Sequence, residues 1–304
     1  MNPIIALIIA NIIWGAGAPI FKLALTNVPP FLFVFLRFFI AALLLIPFVL
    51  KEQGGFLKIR DYKNLFLAGF FGVTLHISTY FLGLIKTQSI NAPIIASASP
   101  VFLFFLSVIF LKEKVNFKVL YGMFLSLVGV LVIVFAPIFR KGLIDFGASI
   151  EGNTLLIMST IFFIISALIH KKILNKVRPY TVAFWTFLFG SLPIIPLVIN
   201  ELQTWSITQL NFFGAFGIIY GIFLNTVLAY ALYYYGMSKI RAQEVGTFFY
   251  IDPVIAILIA IPLLGEFPDK FFAIGTFLVF LGLYLSQGRI PWHPFGHLKK
   301  VVKN

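Results

Sequence analysis

The hydrophobic positions of this chain gather into long runs that charged residues seldom interrupt. A helix needs about 20 mostly apolar residues, at 1.5 Å of rise each, to cross roughly 30 Å of hydrocarbon. Ten runs are long enough: 3–25, 31–50, 64–85, 91–111, 117–137, 152–171, 180–199, 211–236, 243–264 and 269–288. Turn residues such as Pro29-Pro30 and Gly54-Gly55 separate them. We therefore predict an all-α membrane protein with ten transmembrane helices.

The composition supports this fold class. Hydrophobic residues make up 61% of the 304 residues and charged residues only 11%, whereas soluble proteins carry roughly 25% charged residues. A soluble domain could not bury so much apolar surface. The chain has no cysteine, which excludes disulfides, thiolate metal sites and cysteine nucleophiles.

The net charge of +13 is distributed unevenly between the predicted loops. Counted on alternate sides of the ten runs, 17 Lys and Arg residues lie on one side and five on the other, and Arg37 within a span completes the total of 23. Positive residues accumulate on the cytoplasmic side of a membrane. Both termini are therefore predicted to be cytoplasmic, with 289–304 as a basic tail, and the basic charge requires no nucleic-acid partner. We expect the plasma or inner membrane of a prokaryote.

The two halves of the chain resemble each other when one is shifted by 153 residues. The matches fall on residue types that are rare here: Tyr80 on Tyr233, Gly83 on Gly236, Lys86 on Lys239, Pro100 on Pro253, Glu113 on Glu266, Gly122 on Gly275 and Gly129 on Gly282. Nearer the N-terminus, a shift of 149 pairs Pro30 with Pro179 and Lys22 with Lys171. Each half, 1–145 and 146–288, holds five predicted spans. Because five is odd, the second half must enter the membrane with opposite polarity, so we predict an inverted repeat, as in many secondary transporters.

Three local features accompany this pattern: Trp14-Gly15 in the first span, Leu36-Arg37-Phe38 in the second, and a Pro-to-Glu spacing repeated in both halves. Together with the ten spans, they resemble the drug/metabolite transporter superfamily, EamA type, over nearly the whole chain. The resemblance implies transport, often export, of amino acids, metabolites or drugs through a central cavity. We expect export of amino acids or related small metabolites by alternating access, by a monomer or a homodimer in the lipid bilayer.

Enzyme motifs are absent from the sequence. Neither G-x-x-x-x-G-K-[ST] nor H-E-x-x-H nor G-x-S-x-G occurs. Gly15-Ala16-Gly17 lies inside a predicted membrane helix with no preceding strand, which excludes a dinucleotide-binding loop. We expect no enzymatic activity, no cofactor and no metal, and transport driven by an ion gradient or by the gradient of the substrate.

Ionisable side chains inside membrane spans mark candidate sites, because Arg or Asp at a helix centre costs about 2.5–3.5 kcal/mol. Asp252 precedes Pro253, and its counterpart in the other half is Ser99. His76 shares a helix face with Tyr80 at i+4, and histidine titrates closest to neutral pH. We expect substrate binding at both ionisable residues and proton coupling through His76 or Asp252. The alternative is that both are buried and satisfied by neighbouring groups.

Aromatic and polar side chains within the spans complete the predicted site, since aromatic rings can form a cage around a ligand. The predicted substrate contacts besides His76 and Asp252 are Trp14, Tyr80, Trp185, Asn225, Tyr234 and Tyr250. The resemblance favours Trp14 and Tyr80, because the first and third helices line the cavity in the family. Arg37, Glu113 and Glu266 are expected to have structural or gating roles; for the two glutamates, solvated helix ends are the alternative.

Two other functions stay open at this point. Asp252 within a cage of Trp and Tyr would also suit uptake of an organic cation of the choline type. A membrane-embedded sensor or assembly factor is a further alternative, and it would carry no solute.

Overall fold

The computed structural model describes residues 2–52, 57–97, 99, 117–141, 147–239 and 247–286. These residues form helices and turns without a strand. The helices are α1 (Pro3–Ala24), α2 (Pro30–Lys51), α3 (Ile59–Lys86), α4 (Asn91–Ser97), α5 (Phe117–Lys141), α6 (Gly147–Ile173), α7 (Pro179–Glu201), α8 (Phe212–Lys239), α9 (Ile251–Leu264) and α10 (Lys270–Ser286). Short 3-10 turns precede α8 and α9 at Ile207–Gln209 and Thr247–Tyr250.

The prediction of an all-α membrane protein is confirmed. Six helices, namely α1, α2, α3, α6, α7 and α8, are long and apolar enough to cross a membrane, and shorter apolar stretches lie at 124–133, 248–264 and 270–282. Each of the ten predicted runs overlaps one of the ten helices, and of the fourth run the described helix is Asn91–Ser97. The full count of ten spans stays a prediction. Glu113 and the basic tail lie outside the described residues.

Proline and glycine set several helix boundaries. Pro30 and Pro179 occupy first-turn positions of α2 and α7, where the missing N–H would have no partner in the helix. Gly265 ends α9 in the left-handed region, with φ of 64°. Any residue other than glycine would be strained in this backbone conformation.

Two glutamates link the first and second halves of the chain at the ends of α2 and α7. Glu52, directly after α2, accepts a hydrogen bond from Thr181 N at 2.9 Å in the first turn of α7. Glu201, the last residue of α7, accepts one from Leu32 N at 2.7 Å in the first turn of α2. A carboxylate at a helix N-terminus satisfies free N–H groups and complements the helix dipole. The two helices are therefore antiparallel and cap each other.

Glycines allow α5 and α10 to pack closely. A Cβ at Gly129 would lie 2.6 Å from the carbonyl oxygen of Gly275, too close for any side chain. Ser126 Oγ donates to Val279 O at 3.0 Å in the same contact. Glycines that the internal repeat pairs with each other therefore lie in this contact, which follows the rule that small residues let membrane helices approach.

Two of the long helices contain π-helical segments. These segments are Phe70–Leu75 in α3 and Tyr220–Leu228 in α8. Shifted by 153 residues, the first falls on 223–228, within the second. A π-helical segment adds a residue to the helical turn and is frequent at functional sites. The segment of α3 ends directly before His76, and that of α8 carries Asn225, so each irregular stretch contains or adjoins a candidate site residue.

Removal of the reciprocal caps should destabilise the protein. We expect Glu52→Ala and Glu201→Ala each to lower the free energy of unfolding by about 1 kcal/mol, because each leaves two helix-end amides without their acceptor. Thermal unfolding of the detergent-solubilised protein measures the effect. Glu151→Ala is the matched control, since the Glu151 side chain is 55% exposed and forms a surface ion pair with Lys86 at 2.6 Å. Equal unfolding temperatures for all three variants would contradict the capping role.

Candidate functional site

A cavity of about 110 Å³ lies between helices of the two halves. At roughly 10–15 Å³ of such space per water molecule, it has room for about eight waters or a small solute. Its lining combines aromatic rings, small residues and a few polar groups: Trp14, Ala18, Phe21, Arg37, His76, Ile77, Tyr80, Ala92, Pro93, Ala96, Ser99, Leu156, Ser159, Thr160, Phe163, Asn225, Tyr230, Phe249 and Asp252. Apolar walls with isolated polar groups are typical of small-molecule sites.

The structure brings most of the predicted site residues together at this cavity. The predicted substrate contacts that line it are Trp14, His76, Tyr80, Asn225 and Asp252. Arg37, for which we expected a structural or gating role, lines it as well.

Three predicted contacts lie elsewhere. Trp185 stands on α7, which contributes no described residue to the lining, and its ring packs against Tyr62 at 5.0 Å. Tyr234 lies one turn beyond the cavity residue Tyr230 and is fully buried. The ring of Tyr250 packs against α10. Trp185 is therefore on a helix away from the cavity, Tyr234 lies too far along α8, and Tyr250 faces α10.

Arg37 is a buried cation held by neutral groups. Its Nε donates to Thr226 Oγ1 at 2.5 Å and its Nη2 to Asn225 Oδ1 at 2.5 Å. Its guanidinium carbon lies 4.7 Å from the ring centroid of Phe21 and 4.8 Å from that of Phe38, within cation–π range. Among the residues that the structure describes, Arg37 forms no ion pair. Its charge therefore has no carboxylate to balance it there.

Asn225 connects the π-helical segment of α8 to α1. Its Nδ2 donates to Ile13 O at 3.2 Å, and its backbone carbonyl accepts from Trp14 Nε1 at 3.1 Å. Gly17 makes this approach possible, because a Cβ there would lie 2.6 Å from the Asn225 amide nitrogen. The Asn225 side chain is thus engaged with Arg37 and α1, and we interpret it as a positioning residue.

His76 binds α6 through one ring nitrogen. Its Nδ1 lies 2.7 Å from Ser159 Oγ and 2.9 Å from the Ser159 carbonyl oxygen. Because the carbonyl can only accept, we assign the proton of a neutral ring to Nδ1, which makes Nε2 an acceptor. The ring lies 6.1 Å from that of Tyr80 and 5.2 Å from that of Phe163.

Asp252 lies in the first turn of α9, where the helix dipole favours a negative charge. Its Oδ1 is buried and accepts no hydrogen bond from the residues that the structure describes. A Cβ at Gly15 would lie 2.7 Å from the carbonyl oxygen of Asp252, so glycine lets α1 pack directly on this turn. The counterpart Ser99 instead donates to the carbonyl oxygen of Ala96. The carboxylate is thus left facing the cavity, whereas the hydroxyl is satisfied within its own helix.

Glu266, expected to have a gating role, forms a polar cluster near the cavity. Its Oε1 accepts from Lys22 Nζ at 2.8 Å, and its Oε2 accepts from Ser89 N at 2.8 Å and Ser89 Oγ at 2.6 Å. Lys22 also donates to the Thr87 carbonyl oxygen. This Glu266 cluster ties the ends of α1 and α9 to the connection between α3 and α4. The contact joins residues 244 positions apart, and no sequence pattern predicted Lys22 as the partner of this glutamate.

A second buried histidine, His170, lies beside a much smaller cavity that the sequence did not predict. Its Nε2 lies 3.0 Å from Thr186 Oγ1 and 3.2 Å from Tyr234 OH, and its Nδ1 lies 3.3 Å from Ser166 Oγ. Both ring nitrogens have partners, which is typical of a structural histidine. In the sequence His170 stands directly before Lys171-Lys172, so it is easily assigned to a loop. Its i+4 spacing from Ser166 is the signal that could have placed it inside the helix.

The comparison with protein families agrees with this arrangement. The model of the EamA-like transporter family matches the chain over residues 1–135 and again over residues 150–287. The chain belongs to the EamA-like transporter family. The resemblance drawn from the sequence is thereby confirmed, and this EamA-like protein is a transporter by family.

Curated relatives match the EamA-like chain over most of its length. An uncharacterized transporter of Archaeoglobus fulgidus is 28% identical over 286 residues, covering 93% of this chain and 96% of the relative. The uncharacterized transporter YetK of Bacillus subtilis is 27% identical, with 94% and 87% covered. A protein of Salmonella typhimurium named "Probable amino-acid metabolite efflux pump" is 23% identical, with 90% and 91% covered. A crystal structure with 18% identity and a TM-score of 0.64, covering 92% of this chain and 95% of its own, has the same fold.

Proposed function

We propose that this EamA-like protein is a secondary transporter that exports amino acids or related small metabolites. It would work by alternating access through the cavity, in a prokaryotic cell membrane, with both termini in the cytoplasm. The observation that carries the proposal is the cavity itself. Its lining comes from both halves of the chain and combines aromatic walls with Asp252, one oxygen of which has no partner, and Arg37, which has no ion pair, among the described residues.

Alternating access is supported by features that recur in both halves. The family model matches each half, the π-helical segments lie at equivalent positions, and α2 and α7 cap each other. Two inverted repeats, 1–145 and 146–288, can exchange conformations so that the cavity opens first to one side and then to the other. The Glu266 cluster would hold the outer end closed.

The class of substrate is supported by the size and chemistry of the cavity. About 110 Å³ suits a small solute, and the rings of Trp14, Phe163 and Phe249 suit an apolar side chain. The relative named as an efflux pump for amino-acid metabolites supports the same class. Uptake of an organic cation is the second candidate, because Asp252 and Trp14 share the lining. Arg37 on that same lining counts against an occupant that is only cationic.

Purified protein in proteoliposomes should transport radiolabelled L-phenylalanine in preference to choline. Filling the cavity by Ala18→Phe or Ala96→Phe should reduce this flux to the background of empty vesicles, because both alanines line it. Trp185→Phe is the control, since Trp185 lies away from the cavity, and it should retain the flux of the wild type. A preference for choline would favour the cation transporter. No flux of any solute would favour the sensor or assembly factor.

Proton coupling through His76 or Asp252 forms part of the proposal. An imposed proton gradient should accelerate L-phenylalanine flux in the wild type at least several-fold. The acceleration should be lost in His76→Ala or Asp252→Asn, because one of these side chains would carry the proton. Flux that responds neither to the gradient nor to either substitution would show facilitated transport instead.

The Glu266 cluster should close the cavity toward the outside. We expect Glu266→Gln to weaken the contact with Lys22 and to increase exposure of the cavity to the outer solution. The chain has no native cysteine, so an Ala92→Cys substitution reports this directly through labelling with a membrane-impermeant maleimide in right-side-out vesicles. Labelling should become several-fold faster in the Glu266→Gln background. Glu151→Gln, in an exposed pair with Lys86, is the control, and equal labelling rates in both backgrounds would contradict the gate.

A further inference from the structure

The cavity is lined by one basic and one acidic side chain that do not pair with each other. Arg37 donates to two neutral acceptors and lies 2% exposed. The Asp252 Oδ1 atom is buried and has no hydrogen-bond partner among the described residues. Both side chains line the same cavity, yet they form no ion pair within 4.0 Å. Buried charges are normally paired, because desolvation without a partner is costly.

The contacts of α1 show that both side chains approach the same stretch of this helix. The backbone of Asp252 packs against Gly15. The Arg37 guanidinium lies over the ring of Phe21 and donates to Asn225, whose amide nitrogen packs against Gly17. The two side chains therefore reach one cavity from different halves of the chain without meeting.

We propose that the cavity binds a zwitterion in one orientation, with its carboxylate toward Arg37 and its ammonium toward Asp252. An ammonium and a carboxylate borne on one carbon would form a charge-assisted hydrogen bond with each of the two side chains, which do not reach each other. The inference rests on the proposed transport function and adds the charge pattern and the polarity of the bound substrate.

The polar groups at the two ends match those of such a ligand: Arg37 donates to a carboxylate, and Asp252 accepts from an ammonium. An ammonium has three N–H groups, and His76 Nε2 is an acceptor on the same lining as Asp252. The Arg37 side chain is held by Asn225 and Thr226, so it does not need to reorganise when it binds a carboxylate. Preorganisation of this kind lowers the free-energy cost of binding.

The aromatic part of the lining indicates the rest of the ligand. The ring of Trp14 lies 5.1 Å from that of Tyr230 and 6.2 Å from that of Phe249, and Phe163 lies 5.6 Å from Phe249. These four rings offer an apolar surface beside the two charges. A zwitterion with a large apolar side chain is the class of solute that complements all three features.

The test compares a zwitterion with analogues that lack one charge. Binding of L-phenylalanine, phenethylamine and 3-phenylpropionate to the purified full-length protein is measured by calorimetry, together with L-leucine, isoamylamine and 4-methylpentanoate. We expect at least one of the two amino acids to bind about tenfold or more tightly than both of its analogues, because each analogue leaves one buried charge without a partner.

Two variants should change this preference in opposite directions. In Arg37→Gln the amine should bind as tightly as the amino acid, and in Asp252→Asn the carboxylic acid should do so. Arg37→Lys, which retains the charge, provides a milder change if Arg37→Gln unfolds, and it should keep part of the preference. Trp185→Phe, outside the cavity, should bind like the wild type.

The outcomes separate this inference from the proposed function. Analogues that bind the wild type as tightly as the amino acids would overturn the zwitterion model, as would variants that weaken all ligands equally. Failure to bind either amino acid would overturn it too. Flux in proteoliposomes is measured separately. If phenethylamine were transported as fast as L-phenylalanine, the protein would be a transporter, but it would not recognise its substrate as a zwitterion. Binding with the expected order but without flux would contradict transport alone.

Discussion

The hydrocarbon of the membrane offers no water to satisfy polar groups, and this constraint shapes every part of the structure. Backbone groups must pair within each segment, which favours helices. Polar side chains must find partners inside the bundle or remain costly. Arg37 illustrates the first outcome, because α8 supplies it with two acceptors and two phenylalanine rings enclose it. Asp252 illustrates the second, with a buried oxygen that no described residue satisfies. A solute that enters the cavity is the natural partner for such a group.

Helix ends and helix contacts meet the same constraint in other ways. Glu52 and Glu201 satisfy the free amides that begin α7 and α2, so each half closes a helix of the other. Gly129 and Gly275 remove side chains where two backbones meet. In α1, Gly15 lets α9 approach and brings Asp252 to the cavity. Gly17 lets α8 approach and brings Asn225 there. The segment Gly15-Ala16-Gly17, whose glycine spacing resembles part of a dinucleotide-binding loop, is therefore a helix-packing surface beside the cavity.

Features of the structure could be predicted where they depend on residues close together in the sequence. Features that depend on contacts between helices were harder to predict. Apolar runs predicted the helices because span length is a local property. Asp252 and His76 were predicted because charge is rare within spans. Trp185 and Tyr250 were misplaced because 17% of the residues are aromatic and sequence alone does not show which face each helix turns inward. The reciprocal caps join residues about 130 to 170 positions apart, but the shift of 149 pairs Glu52 with Glu201 and could have revealed them.

The charges of the cavity also bear on how binding could drive a conformational change. Arg37 stands on α2 in the first half, and Asp252 stands on α9 in the second. A ligand that bonds to both would bridge the halves, so its affinity would depend on their relative position. Ligands shift a conformational equilibrium only through differential affinity for its states. A solute with a single charge would contact one half and distinguish the states less. The asymmetry between Ser99 and Asp252 would therefore turn a scaffold with similar halves into a device that senses whether both ends of its substrate are present.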